Sequence, residues 1–310
     1  MNLILLWGIL LASVSLGLMA GNWIAMVLFM ELTLFTFIFM CFEYKLLSLS
    51  STCVKYFFVQ TLGSILLLLS SLMMIVLGDN FSLMFVMITL CGVSIKLGVF
   101  PMHFWVVPVS LGLPFLLIGA LGSPMKLLPL SLFVSFYSNV ELPGFSMFIM
   151  MLGVASMVIG LLLGLSNSEV RGILGASSIT HTGWFLFAVI SSDAFKYFIL
   201  YSVGLLLAIW GLMYLNSIMV SLMIVSLSGL PPFSVFMGKL LVLYNLLKFD
   251  LPMGYVVTAL LTSVLSLFYY LKFAFYFYLL DNSIMHEFLL FGAITTLLNF
   301  ICSFFFLRFF

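Results

Sequence analysis

Apolar runs, each about long enough to cross a membrane, dominate this chain and are separated by short polar connections. About twenty apolar residues span a bilayer as a helix, and windows of that length predict about eleven spans in the 310 residues. Charged residues make up only 6% of the sequence, whereas a soluble domain has roughly a quarter of its residues charged. The sequence therefore predicts an all-α polytopic membrane protein. The predicted spans are 3–20, 23–42, 54–77, 82–100, 113–136, 145–165, 171–190, 194–216, 218–247, 255–279 and 288–307.

The rest of the composition limits the number of domains and the kinds of ligand. No linker, charge run or low-complexity tract divides the chain, so we predict a single transmembrane domain over residues 1–310. The formal net charge is +1 and there is no basic patch, which argues against nucleic acid as a partner. Cysteines and histidines are scattered, whereas metal and iron–sulfur sites need clustered ligands. We therefore expect this chain to hold no metal or other cofactor.

The few charges in the connections indicate an orientation. Positive charge is enriched on the inner side of a membrane protein. With the N-terminus inside, the connections that carry Lys45, Lys55 and Arg171 also lie inside, and those that carry Asp79 and Glu141 lie outside. We therefore predict an inner N-terminus and an outer C-terminus.

Two of the predicted spans contain residues that interrupt a helix. The fourth runs into Pro101, which cannot donate a backbone hydrogen bond, and the ninth contains SGLPPF at 228–233. Broken helices at membrane depth occur where they line a protein interior or a watery cavity. A pair of them in two halves of a chain indicates a transport site. The alternative is that proline and glycine only kink two packed helices.

Four ionisable residues lie inside predicted spans, where an isolated charge is costly. None has an opposite charge one helical turn away on its own helix, so its partner must come from another helix or from water. Because removal from water disfavours a charged lysine, such groups can pass or gate protons. The alternative is a set of structural ion pairs or of lysines that extend to the membrane surface. The four residues are Glu31, Lys96, Lys126 and Lys239.

The partner expected for Lys96 is Glu31, with the lysine facing the protein interior. His181, within the hydroxyl-rich segment 175–184, adds a group that can relay protons near neutral pH. For His103, beside aromatic residues, we favour a structural role at the membrane interface. Lys55 and Lys272 are expected to anchor helix ends there.

Five blocks of the sequence, in the same order, resemble a known family. They are LFMELTLF (28–35), KYFFVQ (55–60), GVFPMHFWVVPVSLGLP (98–114), SNSEVRGILGASSITHTGW (166–184) and SLSGLPPFSVFMGKLLVL (226–243). Together they are similar to the antiporter-like proton-pumping subunits of respiratory complex I, in the form found in animal mitochondria.

The resemblance implies antiporter-like inverted repeats with two interrupted helices. It implies proton-translocation roles for Glu31, Lys96, Lys126, Lys239 and His181, which match the family's positions. It also implies a core membrane subunit of NADH:ubiquinone oxidoreductase. Electron transfer from NADH to ubiquinone would then occur in other subunits.

The expected setting follows from the same resemblance. NADH, FMN, iron–sulfur clusters and ubiquinone are expected in partner subunits. The expected partners are other membrane-arm subunits, including neighbouring antiporter-like subunits, and membrane lipids. The expected location is the mitochondrial inner membrane, with the N-terminus in the matrix and the C-terminus in the intermembrane space. The alternatives are a stand-alone cation/proton antiporter and a non-pumping scaffold.

Overall fold

Thirteen α-helices account for the regular structure of the described residues, and these residues contain no strand. The computed structural model describes residues 3–45, 47–77, 83–140, 144–214, 217–231, 233–248 and 252–279, and positions 296, 297, 299 and 301. The helices are α1 (Leu3–Met19), α2 (Trp23–Glu43), α3 (Leu47–Leu77), α4 (Leu83–Leu97), α5 (Val106–Gly112), α6 (Phe115–Gly122), α7 (Pro124–Asn139), α8 (Phe145–Ser166), α9 (Val170–Ile190), α10 (Ala194–Tyr214), α11 (Ser217–Ser228), α12 (Ser234–Leu247) and α13 (Met253–Leu279).

The prediction of an all-helical, multi-span membrane protein is confirmed. Seven of the described segments are long and apolar enough to cross a membrane by length and composition, and four shorter helices are also apolar. The predicted last span, 288–307, lies mostly outside the described residues, as do Asp79 and Glu141. The count of about eleven spans and the orientation of the termini stay predictions.

Both predicted interruptions are present. Helix α4 ends at Leu97, and the chain turns through residues 98–105 before α5 begins. Helix α11 ends at Ser228, and α12 begins at Ser234. In each case a glycine with positive φ follows the helix end, Gly98 at +75° and Gly229 at +82°. Glycine adopts this left-handed conformation without the clash that a Cβ would cause.

The span predicted over 113–136 is present as the apolar segment Phe115–Asn139, which is long enough to cross a membrane, but this segment is not one continuous helix. The chain forms α6 and α7 there, separated at Ser123, whose φ and ψ are −114° and −85°. Pro124 is the first residue of α7, and a residue that precedes proline is pushed out of the helical region. The Ser-Pro pair therefore separates the two helices just before Lys126.

By its internal packing the chain divides into two compact units, Met1–Phe148 and Ile149–Phe310. In the first unit, glycines let α3 and α4 approach closely. A Cβ on Gly92 would lie 2.8 Å from the side chain of Leu67, and a Cβ on Gly63 would lie 3.2 Å from Cγ of Lys96. Small residues are a common way to bring membrane helices together. The single domain over 1–310 stays a prediction.

In the second unit, α9 is buried along nearly its whole length, from Gly172 to Ile190. A helix with no exposed face lies inside a bundle, and α10 and α12 pack against it. Helix α13 instead presents large apolar side chains such as Val264 and Phe268 on its outer face, as expected for contact with lipid.

Candidate functional site

Lys96 lies in the last turn of α4 and makes an ion pair with Glu31 of α2. Its Nζ is 3.3 Å from Oε1 of Glu31, and the side chains of the lysine and the glutamate are 4% and 21% exposed. The contact expected from the sequence is therefore present. A charged ammonium in this position is stabilised by the carboxylate and destabilised by its removal from water.

The interruption after α4 gives the lysine a well-defined helix end. The amide groups of Gly98 and Val99 both donate to the carbonyl of Ser94, each at 2.9 Å. The indole Nε1 of Trp105 donates to the carbonyl of Ile95 at 3.0 Å. Carbonyls in the last turn of a helix have no partner within the helix, and a tryptophan from beyond the interruption supplies one here.

A cavity of about 20 Å³ joins Lys96 to Lys126, and a space of that size holds about one water molecule. Lys126 lies in the first turn of α7 and is only 2% exposed. Hydrophobic residues and the polar side chains of Tyr56 and Gln60 also line the cavity. The structure thus brings Glu31, Lys96 and Lys126 into one polar site within the first unit.

The break before α7 fixes the position of Lys126. The Ser123 hydroxyl donates to the carbonyl of Gly119 at 2.7 Å, and the Lys126 amide donates to the Ser123 carbonyl at 3.2 Å. The side chain of Lys126 therefore extends from the start of α7 towards the cavity. This break was not predicted, although the Ser-Pro pair was its signal in the sequence.

Lys239, in the second unit, lies at the other interruption. Its Nζ donates to the carbonyl of Ser228, the last residue of α11, at 3.0 Å. The Nζ also lies 5.7 Å from the ring centre of Trp184, within the range of a cation–π interaction. A carbonyl at a helix C-terminus carries partial negative charge, so two fixed electrostatic features stabilise the cation.

His181 lies close to the Lys239 group, on the buried helix α9. Its Nδ1 is 2.7 Å from the hydroxyl of Tyr197, and the rings of Tyr197 and Trp184 are 6.3 Å apart. A Cβ on Gly238, next to Lys239, would lie 2.8 Å from the Tyr197 ring. His181 and Lys239 are thus separated by two aromatic side chains of the same unit. Tyr197 was not singled out from the sequence.

Three other ionisable residues were singled out from the sequence, Lys55, Lys272 and His103. Lys55 and Lys272 are exposed, and His103 is buried beside the ring of Phe104, 4.4 Å away. Their anchoring and structural roles stay predictions. In the described residues there is no group of three or more histidine, cysteine or acidic side chains that could hold a metal.

Comparison with known proteins decides the family. A family profile described as NADH:quinone oxidoreductase/Mrp antiporter, transmembrane, matches residues 20–207, which is more than half of the chain. The chain belongs to this antiporter-like family. The matched residues include Glu31, Lys96, Lys126 and His181, whereas Lys239 and α13 lie beyond them.

Relatives and solved structures of the antiporter-like family agree with this assignment. The chain is 34% identical to NADH-ubiquinone oxidoreductase chain 2 of Albinaria caerulea, over 89% of each chain. Its fold matches a chain of respiratory complex I from Thermus thermophilus with a TM-score of 0.71 at 22% identity, over 85% of this chain and 67% of that one. It also matches a chain of the Mrp complex from Dietzia sp. DQ12-45-1b with a TM-score of 0.74 at 18% identity, over 86% of this chain and 58% of that one.

Proposed function

We propose that this chain is a membrane subunit of NADH:ubiquinone oxidoreductase and takes part in proton translocation across the mitochondrial inner membrane. The observation that carries the proposal is the Glu31–Lys96 ion pair, 3.3 Å long, at an interrupted helix. It adjoins a water-sized cavity that Lys126 also lines. A structural ion pair does not need an interrupted helix or a cavity beside it. Proton transfer between two lysines needs a change of charge near the donor and a space for water between the two amines.

The first step of the proposed mechanism is a change in the environment of Lys96. At an effective dielectric of 20, two unit charges about 4 Å apart interact by about 4 kcal/mol, and about 1.4 kcal/mol changes proton occupancy tenfold. Withdrawal or neutralisation of the Glu31 carboxylate would therefore favour release of a proton from the Lys96 ammonium.

The released proton then needs an acceptor. A water in the cavity would accept it from Nζ of Lys96 and pass a proton to a neutral amine on Lys126. Lys96 is left neutral and Lys126 becomes charged, so the net charge of the site is unchanged. His181 and Lys239 form the second group, and we propose that they carry the later part of the transfer.

The energy for this transfer would come from other subunits of the enzyme. NADH, FMN, iron–sulfur clusters and ubiquinone are proposed to be bound there, and the redox reaction would reach this chain as a change in electrostatics or conformation. Neighbouring antiporter-like subunits of the membrane arm, together with lipids, are the proposed partners. The relationship to an animal NADH-ubiquinone oxidoreductase chain supports this setting.

We propose about eleven spans with inverted repeats in one domain over residues 1–310. We place the N-terminus in the matrix and the C-terminus in the intermembrane space. The charges in the connections support this orientation, and the two interrupted helices support the repeats.

The test compares two lysine variants in the whole complex, reconstituted in sealed liposomes. Lys96→Met should leave an assembled enzyme with impaired proton transfer, whereas Lys55→Met, on an exposed position, should change little. NADH oxidation and the pH gradient are measured together. Wild-type gradients in both variants would leave Lys96 as a structural ion pair and overturn the proposal.

A stand-alone antiporter is the alternative, because the family profile also covers Mrp antiporters and the chain's fold also matches the Mrp complex. Purification separates the two functions. The proposal expects the chain within a large assembly that oxidises NADH, and isolation of the chain with cation/proton exchange activity but no NADH oxidation would contradict it.

A further inference from the structure

Helix α13 carries a buried polar stripe that the two lysine groups do not use. Its outer face is apolar and exposed, as at Val264 and Phe268. Its inner face holds four hydroxyl-bearing side chains at helical spacing. Hydroxyl groups removed from water need hydrogen-bond partners. The four residues are Thr262, Ser266, Tyr269 and Tyr270.

Three tyrosine hydroxyls in this region are buried, and none of them has a partner among the described residues at the distance and angle of a well-formed hydrogen bond. They belong to Tyr201 on α10 and to Tyr269 and Tyr270 on α13. These side chains are only 1%, 1% and 2% exposed. Buried polar atoms are nearly always bonded either to protein or to ordered water, and internal water typically bonds to several otherwise unsatisfied groups at once.

Neighbouring hydroxyls make the site polar. Ser177 interacts with the hydroxyl of Tyr270, and Thr180 and Ser266 interact with that of Tyr269, but none of these contacts has the geometry of a well-formed hydrogen bond. Each of these three donates its own hydrogen to a helix carbonyl one turn back, at 2.7–2.9 Å. Their hydrogens are therefore already used within their helices, while their oxygens can still accept a bond from water.

The same tyrosines lie next to His181. The ring centres of His181 and Tyr201 are 4.5 Å apart. The ring centres of Tyr269 and Tyr270 are also 4.5 Å apart. Tyr270 and Tyr201 are also neighbours within this unit. Neighbouring tyrosine side chains therefore lie between His181 and the stripe on α13.

A glycine on α8 makes room for this arrangement. A Cβ on Gly164 would lie 2.8 Å from the ring of Tyr269, so any larger residue there would displace the tyrosine. The position of the ring thus depends on the absence of a side chain opposite it, which fixes where its hydroxyl can point.

We infer that the hydroxyls of Tyr201, Tyr269 and Tyr270 bind ordered water and extend the proton path from His181 onto α13. The inference rests on the proposed function, because it continues a path that the proposal assigns to His181 and Lys239. A bound water accepts a proton on one side and releases another on the other side, and a tyrosine hydroxyl can do the same because it both donates and accepts. No bond to carbon changes and no charge is created.

The direct test is an experimental structure of the whole complex at a resolution that shows ordered water. The expected result is water oxygen within about 2.6–3.2 Å of at least two of the three hydroxyls. Three hydroxyls that bond to protein groups instead, or a dry apolar contact between the rings, would overturn the inference. This measurement uses the unmodified protein and does not depend on whether any variant assembles.

The functional test removes only the hydroxyls. The double variant Tyr269→Phe/Tyr270→Phe keeps both rings, and Tyr276→Phe, on the exposed face of the same helix, is the matched control. In the reconstituted complex, the double variant should lower the NADH-coupled rate of proton translocation about fivefold, the factor expected for loss of one net hydrogen bond. The control should keep the unmodified rate.

A third variant separates failure of this inference from failure of the proposed function. If Lys239→Met slows coupled translocation and the tyrosine double variant does not, the α13 path is wrong and the lysine path stands. If neither slows it, the proposed role of the second unit is wrong and the inference falls with it. A water peak lost from the double variant, together with slower translocation, supports both.

Discussion

The two interrupted helices hold their lysines by different electrostatics. Lys96 faces an ionisable carboxylate, that of Glu31, at 3.3 Å. Lys239 faces the carbonyl of Ser228 at 3.0 Å and the ring of Trp184. A carboxylate can lose its charge or move away, whereas a helix carbonyl and an aromatic ring keep their dipole and quadrupole. The charge on Lys96 therefore depends on a second titratable group, whereas the described residues that Lys239 contacts include no such group.

The two broken helices also differ in the side chain that bonds the carbonyl at the helix end. Beyond α4, the indole of Trp105 satisfies the carbonyl of Ile95, and Lys96 is free to pair with another helix. Beyond α11, Lys239 itself satisfies the carbonyl of Ser228. Lys96 thus takes no part in the bond from Trp105 to the end of its helix, whereas Lys239 itself donates the bond at the end of α11. The comparison indicates that the partner of Lys96 can change its charge, whereas the partners of Lys239 keep their polarity.

Lys239→Met should have the largest effect, because it removes both a charge and the partner of a buried carbonyl. We expect the NADH-coupled rate of proton translocation to fall roughly tenfold or more, the factor that about 1.4 kcal/mol represents. Lys248→Met, at the exposed end of the same helix, is the control. A gradient equal to that of the control would show that the second site is not needed.

Glu31→Gln should leave assembly intact and should slow coupled turnover less than Lys239→Met does. Glutamine keeps the shape of the side chain and removes its charge, so Lys96 keeps a polar neighbour without its counter-charge. We expect an assembled complex whose coupled turnover is several-fold slower. Glu43→Gln, an exposed position at the end of the same helix, controls for loss of an acidic residue. Normal pumping per NADH oxidised would rule out a coupling role for Glu31.

Gly229→Ala tests whether the position of Lys239 is as constrained as the comparison requires. The new Cβ would lie 2.9 Å from Nζ of Lys239 at a φ of +82°. Gly144→Ala is matched in backbone, with a φ of +79°, but has nothing within 4 Å of the new Cβ. Both variants should lose about 1–2 kcal/mol to backbone strain, measured by thermal unfolding of the complex. Only Gly229→Ala should also slow coupled translocation, and equal rates in the two would contradict the account.

Trp105→Phe should have the smallest effect, confined to the support of the first helix end. It removes the hydrogen bond to the Ile95 carbonyl, which contributes about 1 kcal/mol to stability. It also replaces the indole with a smaller phenyl ring. We expect a modestly lower thermal midpoint of the complex. An unchanged midpoint would mean that another group satisfies the carbonyl.

The parts of the fold that the sequence predicted are those with a local signal. Proline and glycine at residues 98–101 and 229–232 indicated the two interruptions, because each limits what the backbone can do. The Glu31–Lys96 contact was predictable because each residue is an isolated charge in an apolar helix, where an unpaired charge is costly. The break at Ser123 had the same kind of signal, a residue followed by proline, and it was missed.

The tyrosines and the cavity had no such signal. Tyr201, Tyr269 and Tyr270 lie in apolar helices, where a tyrosine can face lipid headgroups or protein equally well, and only the packing of several helices decides which. The cavity is lined by residues from 30 to 129, so its existence depends on distances between helices that are far apart in sequence.

The most direct measurement of the central claim, that Glu31 and Lys96 act as one switch, is a double-mutant cycle in the reconstituted complex. The NADH-coupled rate of proton translocation is measured for Glu31→Gln, for Lys96→Met and for the double variant. The account predicts that the double variant is no slower than the slower single variant, because either change already disables the pair. Losses that multiply, as they do for independent sites, would contradict it.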